Sequence, residues 1–264
     1  MVEVESEDLS LPKIARSGQC FRMTELEPGR FRLIAAERVL ELEAREDGAI
    51  LRCSQDEYQA LWRTYFDLDT DYARFRSAIP QRDRYLTAAA EFGRGIRILR
   101  QEPWETLVTF LLSQRRNIPA IRRSVELLCR KAGEPLGGGC YSFPTPEGAA
   151  ELTDAELASC SLGYRVPYVR AAALLAAAGG LDGLSLLSDA ELEAELRSMP
   201  GVGPKVANCV MLFGFYRLSG FPRDVWINRV IDGQYGGRFS LRRYRGFEGV
   251  IQQYLFYYGR SGGK

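Results

Sequence analysis

Between Phe21 and Cys53 apolar positions alternate with charged ones: Phe31 and Leu33, then Val39, Leu40 and Leu42, stand among Arg and Glu, with turn signals at Pro28-Gly29 and Asp47-Gly48. This period of two predicts a small antiparallel sheet. After Ser54 the period lengthens, and residues 58–66, 84–92 and 104–113 carry apolar side chains at helical spacing. Residues 131–146, rich in Gly and Pro and including Gly137-Gly138-Gly139, read as an exposed loop without chemistry. Further helices are predicted over 153–159, capped by Thr153 or Asp154, and over 166–178, stopping at Gly179-Gly180. The Ser188/Glu191 pair has capping-box spacing and opens another that reaches about Ser198. The fold class expected is α+β: a small N-terminal antiparallel β-sheet with helices, packed on a mainly α-helical body. The sheet-containing domain is assigned to residues 1–100 and the helical domain to 101–264, and no internal repeat is evident.

Composition narrows the chemistry more than the fold. With 264 residues, 46% of them hydrophobic, the chain can bury a substantial core. The first ten residues are acidic where a signal peptide would be basic and then apolar, and no run approaches the roughly 18 apolar residues of a membrane span. An intracellular protein with no membrane association is expected. Six cysteines form no CxxC pair and no regular framework, so thiols are expected rather than disulfides or structural zinc. Histidine is absent, which removes imidazole bases, His-based triads and His-ligated metals and leaves Lys, Asp, Glu, Cys or Tyr to act. A net charge of +1 creates no global basic field, but Arg115, Arg116, Arg122, Arg123, Arg130 and Lys131 face a single acidic residue, Glu126, within 17 positions. That stretch offers a local surface to phosphates, or an ordinary solvated helix face.

The most informative segment is LRSMPGVGPKVANC, from Leu196 to Cys209. One helix ends at Met199-Pro200 and another starts near Pro204-Lys205, so a helix-hairpin-helix is expected at about 190–215. Gly201 and Gly203, with Val202 between them, permit a tight turn whose amides can grip a phosphate at the second helix's N-terminus. Lys205 falls in the first turn of that helix, where the helix dipole works against its positive charge and in favour of a nucleophilic amine; its ordinary alternative is a phosphate contact. Asp224, in FPRDVWINRV, is placed to cap the next helix. Facing Lys205, it would add a negative charge beside a nucleophile.

PGVGPK followed by PRDV resembles the signature of the helix-hairpin-helix base-excision glycosylases, and within them the 8-oxoguanine DNA glycosylase family. The likeness extends through SGQCFR at 17–22, YFDLD at 65–69, LRQEPWETL at 99–107, SQRRNI at 113–118, LGYR at 162–165 and QQYLF at 252–256. The resemblance implies that Lys205 attacks C1′ of the damaged nucleoside, displaces the base, and forms a Schiff base that permits strand cleavage by β-elimination. Asp224 would stabilise cationic character at the sugar. The flipped base would meet the Gly18 carbonyl at N7–H, Gln252 at its Watson–Crick edge, and Phe256 and Cys209 on its two faces. Taken singly, these read as a turn glycine, a surface glutamine, a core phenylalanine and a buried thiol.

The same likeness assigns Arg115, Arg116 and Asn117 to the gap left in the duplex, Tyr164 to a wedge, and Arg165 to the opposite cytosine. Two departures bear on this set. Only Asn117 keeps the family's asparagine in that loop, and Ala120 stands where a second cytosine-reading arginine is expected, which predicts relaxed opposite-base discrimination. Trp226 also replaces the family's histidine near the catalytic aspartate. No cofactor is required, and no iron–sulfur cluster is expected because no cysteine follows Cys209. The carbonyls of Arg197, Met199 and Val202 are candidates for a structural Na+ or K+ ion. The partner expected is damaged double-stranded DNA, met by a monomer in the compartment that holds the chromosome. The alternatives are a sister glycosylase for other damaged or alkylated bases, and a non-catalytic DNA-binding hairpin protein.

Overall fold

The computed structural model describes residues 1–262. Its sheet is five-stranded and antiparallel throughout: β1 (Val2–Glu5), β2 (Met23–Glu27), β3 (Arg30–Ala35), β4 (Arg38–Arg45) and β5 (Gly48–Leu51), in the order β1-β5-β4-β3-β2. Register pairs Phe31 with Leu42 and Leu33 with Leu40, so the apolar alternation of both strands falls on one face. That face buries against Leu11, Ile14, Trp62, Tyr65 and Phe66. β1 was not anticipated. Val2 and Val4 point inward and Glu3 and Glu5 outward, a strand alternation hidden within a segment notable chiefly for its acidity.

Most helices fall where the spacing places them, including Arg84–Phe92, Pro103–Leu112, Asp154–Ser159 and Val166–Ala177. Thr153 rather than Asp154 caps the third of these, through a complete capping box with Glu156. Two segments differ. Helical structure begins at Gln55 and passes through a π-helical stretch, Tyr58–Trp62. The expected loop at 131–146 instead holds a short hairpin, Pro135–Gly137 with Cys140–Tyr141. Its three-glycine turn lies wholly at positive φ, and Cys140 folds inward to anchor it.

Apolar side chains gather into two clusters, one beneath the sheet and a larger one in the helical body. The division follows packing rather than position along the chain, because Tyr72, Phe75 and Leu86 join the larger cluster. At its centre Pro103–Leu112 lies against Pro204–Phe213, with the rings of Phe110 and Phe213 stacked at 5.5 Å. The C-terminal helix, Glu248–Arg260, packs on Arg84–Phe92 and on Val225–Tyr235. Gln19 ties the sheet's leading loop to this body: its amide nitrogen donates to the Arg97 carbonyl and its oxygen accepts from Leu99 N–H. The neighbouring Gly18 is thereby fixed against Phe256 of the C-terminal helix. Among the described residues no helix is long and apolar enough to cross a membrane.

Candidate active site

The hairpin forms as its sequence dictates. Asp189–Ser198 opens on the Ser188/Glu191 capping box, and the chain then turns through Pro200, Gly201, Val202 and Gly203 into Pro204–Phe213, with Pro204 in the first turn. Gly201 sits at φ +81°, and a Cβ there would lie 2.5 Å from the Tyr168 ring, so no other residue fits without displacing that ring. Gly203 is the N-cap and has no side chain to satisfy the first-turn amides, which leaves them for an anion. Gln114 buttresses the turn by donating to the Gly201 carbonyl at 3.1 Å.

Lys205 projects from the first turn of the second helix, whose other faces are anchored by buried Val206, Ala207 and Val210. Its Nζ donates to Ser113 Oγ at 3.1 Å and lies 5.0 Å from the centroid of the Phe110 ring. Ser113 Oγ itself donates to the Phe110 carbonyl, so toward Lys205 it acts as acceptor. Asp224 caps Val225–Tyr235, its Oδ1 accepting Ile227 N–H at 2.9 Å. Both residues line a cavity of about 740 Å³, together with Gly18, Arg115, Asn117 and Phe256. A contiguous recess of about 40 Å³ shares Gly18, Lys205, Asp224 and Phe256 and adds Cys209 and Gln252. The nucleophile, carboxylate and base-pocket residues expected from the sequence, dispersed over 239 positions from Gly18 to Phe256, therefore meet at one place.

Each wall has a local cause. Gly18 adopts φ +77°, and a Cβ there would come 3.3 Å from Phe256 Cε1, closing the slot between loop and ring. Burial pushes the Cys209 thiol up to about 11, with Lys205 drawing it down and Asp224 adding to the rise. Cys209 is thus a neutral, soft wall and not a second nucleophile. Gln252 is buried, its amide nitrogen donating to the Pro222 carbonyl at 3.0 Å.

The rim is less uniform. Arg115 is exposed and takes a left-handed backbone conformation at φ +52°, which turns its side chain out of the SQRRN turn beside the cavity. Tyr164 is 51% exposed, its ring 4.2 Å from the Arg165 guanidinium carbon. The remaining three are engaged by protein partners, although Arg116 and Asn117 also line the cavity. Arg116 donates to Ser124 Oγ and to the Ser161 carbonyl, and Asn117 Oδ1 caps the Ile118–Ala132 helix through Ala120 N–H. Arg165 is 4% exposed and donates to the carbonyls of Leu162 and Gln114. In the free protein these three groups are thus held by hydrogen bonds within the chain. At the hairpin, the Met199 carbonyl already accepts Val202 N–H at 3.1 Å.

Comparison with known proteins places the chain among relatives over nearly its whole length. A family profile described as "8-oxoguanine DNA glycosylase, N-terminal domain" matches residues 1–107. A probable N-glycosylase/DNA lyase of Methanothermobacter thermautotrophicus is 31% identical over an alignment covering 97% of this chain and 95% of its own. The chain belongs to the 8-oxoguanine DNA glycosylase/lyase family. Among solved members of this family, the Clostridium acetobutylicum 8-oxoguanine glycosylase/lyase, bound to duplex DNA with cytosine opposite the lesion, superposes with a TM-score of 0.91 at 33% identity, covering 100% of this chain and 99% of that one. MBOgg1, in complex with a low-affinity DNA ligand, gives 0.92 at 34% identity over the whole of both chains. Around the glycosylase site, sequence reasoning missed Ser113 and Phe110, which hold the lysine, Gln114, which holds the hairpin, and Gln253, beside Gln252. Ser113 and Gln114 lay inside a recognised motif, whereas nothing local marks Phe110, whose role arises from helix packing.

Proposed function

We propose that this chain excises 8-oxoguanine from duplex DNA and cleaves the strand at the resulting site, with Lys205 as nucleophile. The observation that carries the reading is the convergence of Lys205 and Asp224 on a recess walled by Gly18, Cys209, Gln252 and Phe256. The Gly201 and Gly203 amides, with those of the second helix's first turn, hold a phosphate, which sets the duplex in register without reading sequence. The damaged nucleotide is extruded between Phe256 and Cys209, where the Gly18 carbonyl accepts the N7 proton that guanine lacks. The Lys205 nitrogen adds its lone pair to C1′, and the base departs with the glycosidic electron pair and takes up the proton that the nitrogen releases. Asp224 lowers the energy of the positive charge developing at the sugar. Opening of the sugar ring yields the iminium, and loss of a C2′ proton with departure of the 3′ phosphate breaks the strand. Every proposed group comes from one chain, so a monomer suffices.

The test is borohydride trapping on a duplex carrying 8-oxoguanine opposite cytosine. A covalent protein–DNA adduct is expected, with none on the same duplex carrying guanine. Binding without an adduct would reduce Lys205 to a phosphate contact and leave a DNA-binding hairpin. The alkyl-base alternative is disfavoured by the Gly18 carbonyl and Gln252 in the recess, since both suit a hydrogen-bonding guanine edge better than a methylated cationic one.

Relaxed reading of the opposite base belongs to the same proposal. Ala120 brings no guanidinium to the rim, and that of Arg165 is bonded inward to Leu162 and Gln114. Excision opposite cytosine and opposite adenine is expected at comparable rates in single-turnover assays. A preference for cytosine above about 100-fold, or about 2.7 kcal/mol, contradicts it. The hairpin also suits a monovalent cation, because the last carbonyls of Asp189–Ser198 form the negative end of a helix dipole. The carbonyls of Arg197, Met199 and Val202 would hold it, Met199 retaining one lone pair, and the ion would draw a DNA phosphate toward the turn.

A further inference from the structure

We infer that Gln253 is a second specificity-determining glutamine, which accepts a hydrogen bond from the 2-amino group of the flipped base. The inference rests on the excision of 8-oxoguanine proposed above and goes beyond it to a residue that makes up part of the recess.

The argument starts from Pro222. A backbone carbonyl can only accept, so the Gln252 group 3.0 Å from it is the amide nitrogen, and Gln252 Oε1 faces the other way. That oxygen is 2.9 Å from Gln253, whose contacting atom must in turn be its own nitrogen. The relay leaves Gln253 Oε1 buried with no hydrogen-bond partner among the described residues, although both side chains are only 3% exposed. An unpaired buried carbonyl costs roughly 1–3 kcal/mol, a penalty that a ligand donor removes.

The vacancies left by the relay match one nucleobase edge. After its bonds to Pro222 and Gln253, the Gln252 amide retains one N–H and one lone pair, which suit O6 and N1–H of a guanine-type base. The next group along that edge is the 2-amino donor, and Gln253 Oε1 is the acceptor in the recess with neither lone pair engaged among the described residues. An adenine-type edge has only C2–H at that position and leaves the carbonyl unpaired. Gln253 therefore has two effects: through its nitrogen it fixes which way Gln252 faces, and through its oxygen it favours a base with a 2-amino group.

The experiment compares single-turnover excision of 8-oxoguanine with that of 8-oxohypoxanthine, which differs only by lacking the 2-amino group, each opposite cytosine. The wild-type protein is expected to favour 8-oxoguanine by at least roughly tenfold. In Gln253→Leu, which keeps the volume but removes both polar atoms, the ratio should fall to within about threefold, mainly through slower 8-oxoguanine excision. Strand cleavage at a preformed abasic site, where no base enters the recess, reports whether the variant is folded, and Gln253→Met repeats the comparison if Leu is not tolerated. A variant that cleaves abasic DNA yet keeps the wild-type ratio overturns the inference, as does a wild-type protein that treats both lesions alike. Failure of the wild-type protein to excise 8-oxoguanine at all would instead overturn the proposed function.

Discussion

Lys205→Gln is expected to lower base excision and strand cleavage together by on the order of 10⁴-fold, while duplex binding changes by less than about tenfold. The two losses are coupled because, in the proposed mechanism, one amine forms the bond to C1′ and then carries the iminium from which the strand is broken. Glutamine is one bond shorter than lysine but keeps an N–H donor directed toward Ser113 Oγ, the partner 3.1 Å from Lys205 Nζ. The pocket should therefore keep its shape, and the amide nitrogen, whose lone pair is delocalised, cannot replace the amine. Binding should survive because, as proposed, the phosphate grip comes from hairpin amides and the base pocket from Gly18, Cys209, Gln252 and Phe256. Single-turnover kinetics with a gel-shift titration of the same duplex would separate the two. A loss of only about tenfold, with excision but no strand cleavage, would mean that water performs the first displacement and the lysine acts only later.

Much of this site can be read from the chain because its chemistry depends on local backbone geometry. Gly201, Gly203, Pro204 and Lys205 lie within five positions, and the turn that presents Lys205 follows from where glycine and proline are allowed. The same holds for Asp224, whose capping role is local. The rim is harder to read, because its side chains choose among partners supplied by distant segments. Arg116 and Arg165 resemble DNA contacts in sequence, yet one bonds to Ser124 and Ser161 and the other to Leu162 and Gln114. Within the sheet, β3 and β4 are joined through Ala36 and Glu37, both at positive φ, where glycine or asparagine would have announced the turn. The pairing there is imposed by the apolar faces of the two strands. β1 was missed for a related reason, since its two valines give a strand signal only when β5 is beside them.

Asp224 caps a helix and is proposed to stabilise the sugar cation, and two substitutions should separate these roles. Its Oδ1 caps Val225–Tyr235, and its carboxylate lines the recess that Lys205 enters. Asparagine caps a helix about as well as aspartate, so Asp224→Asn should melt within a degree or two of the wild-type protein. It should nevertheless excise 8-oxoguanine on the order of 10²–10³-fold more slowly, because no negative charge then faces the sugar as its positive charge develops. Asp224→Ala should show that loss and, in addition, lose about 1 kcal/mol of stability, or roughly 2–4 °C for a chain of this size. Thermal unfolding and single-turnover excision on the three proteins are sufficient to decide it. If Asn were as destabilising as Ala, the cap would depend on the charge, and the rate could not be assigned to the sugar. If Asn excised the base at the wild-type rate, Asp224 would be a helix cap alone, and stabilisation of the sugar cation would have to come from elsewhere in the recess.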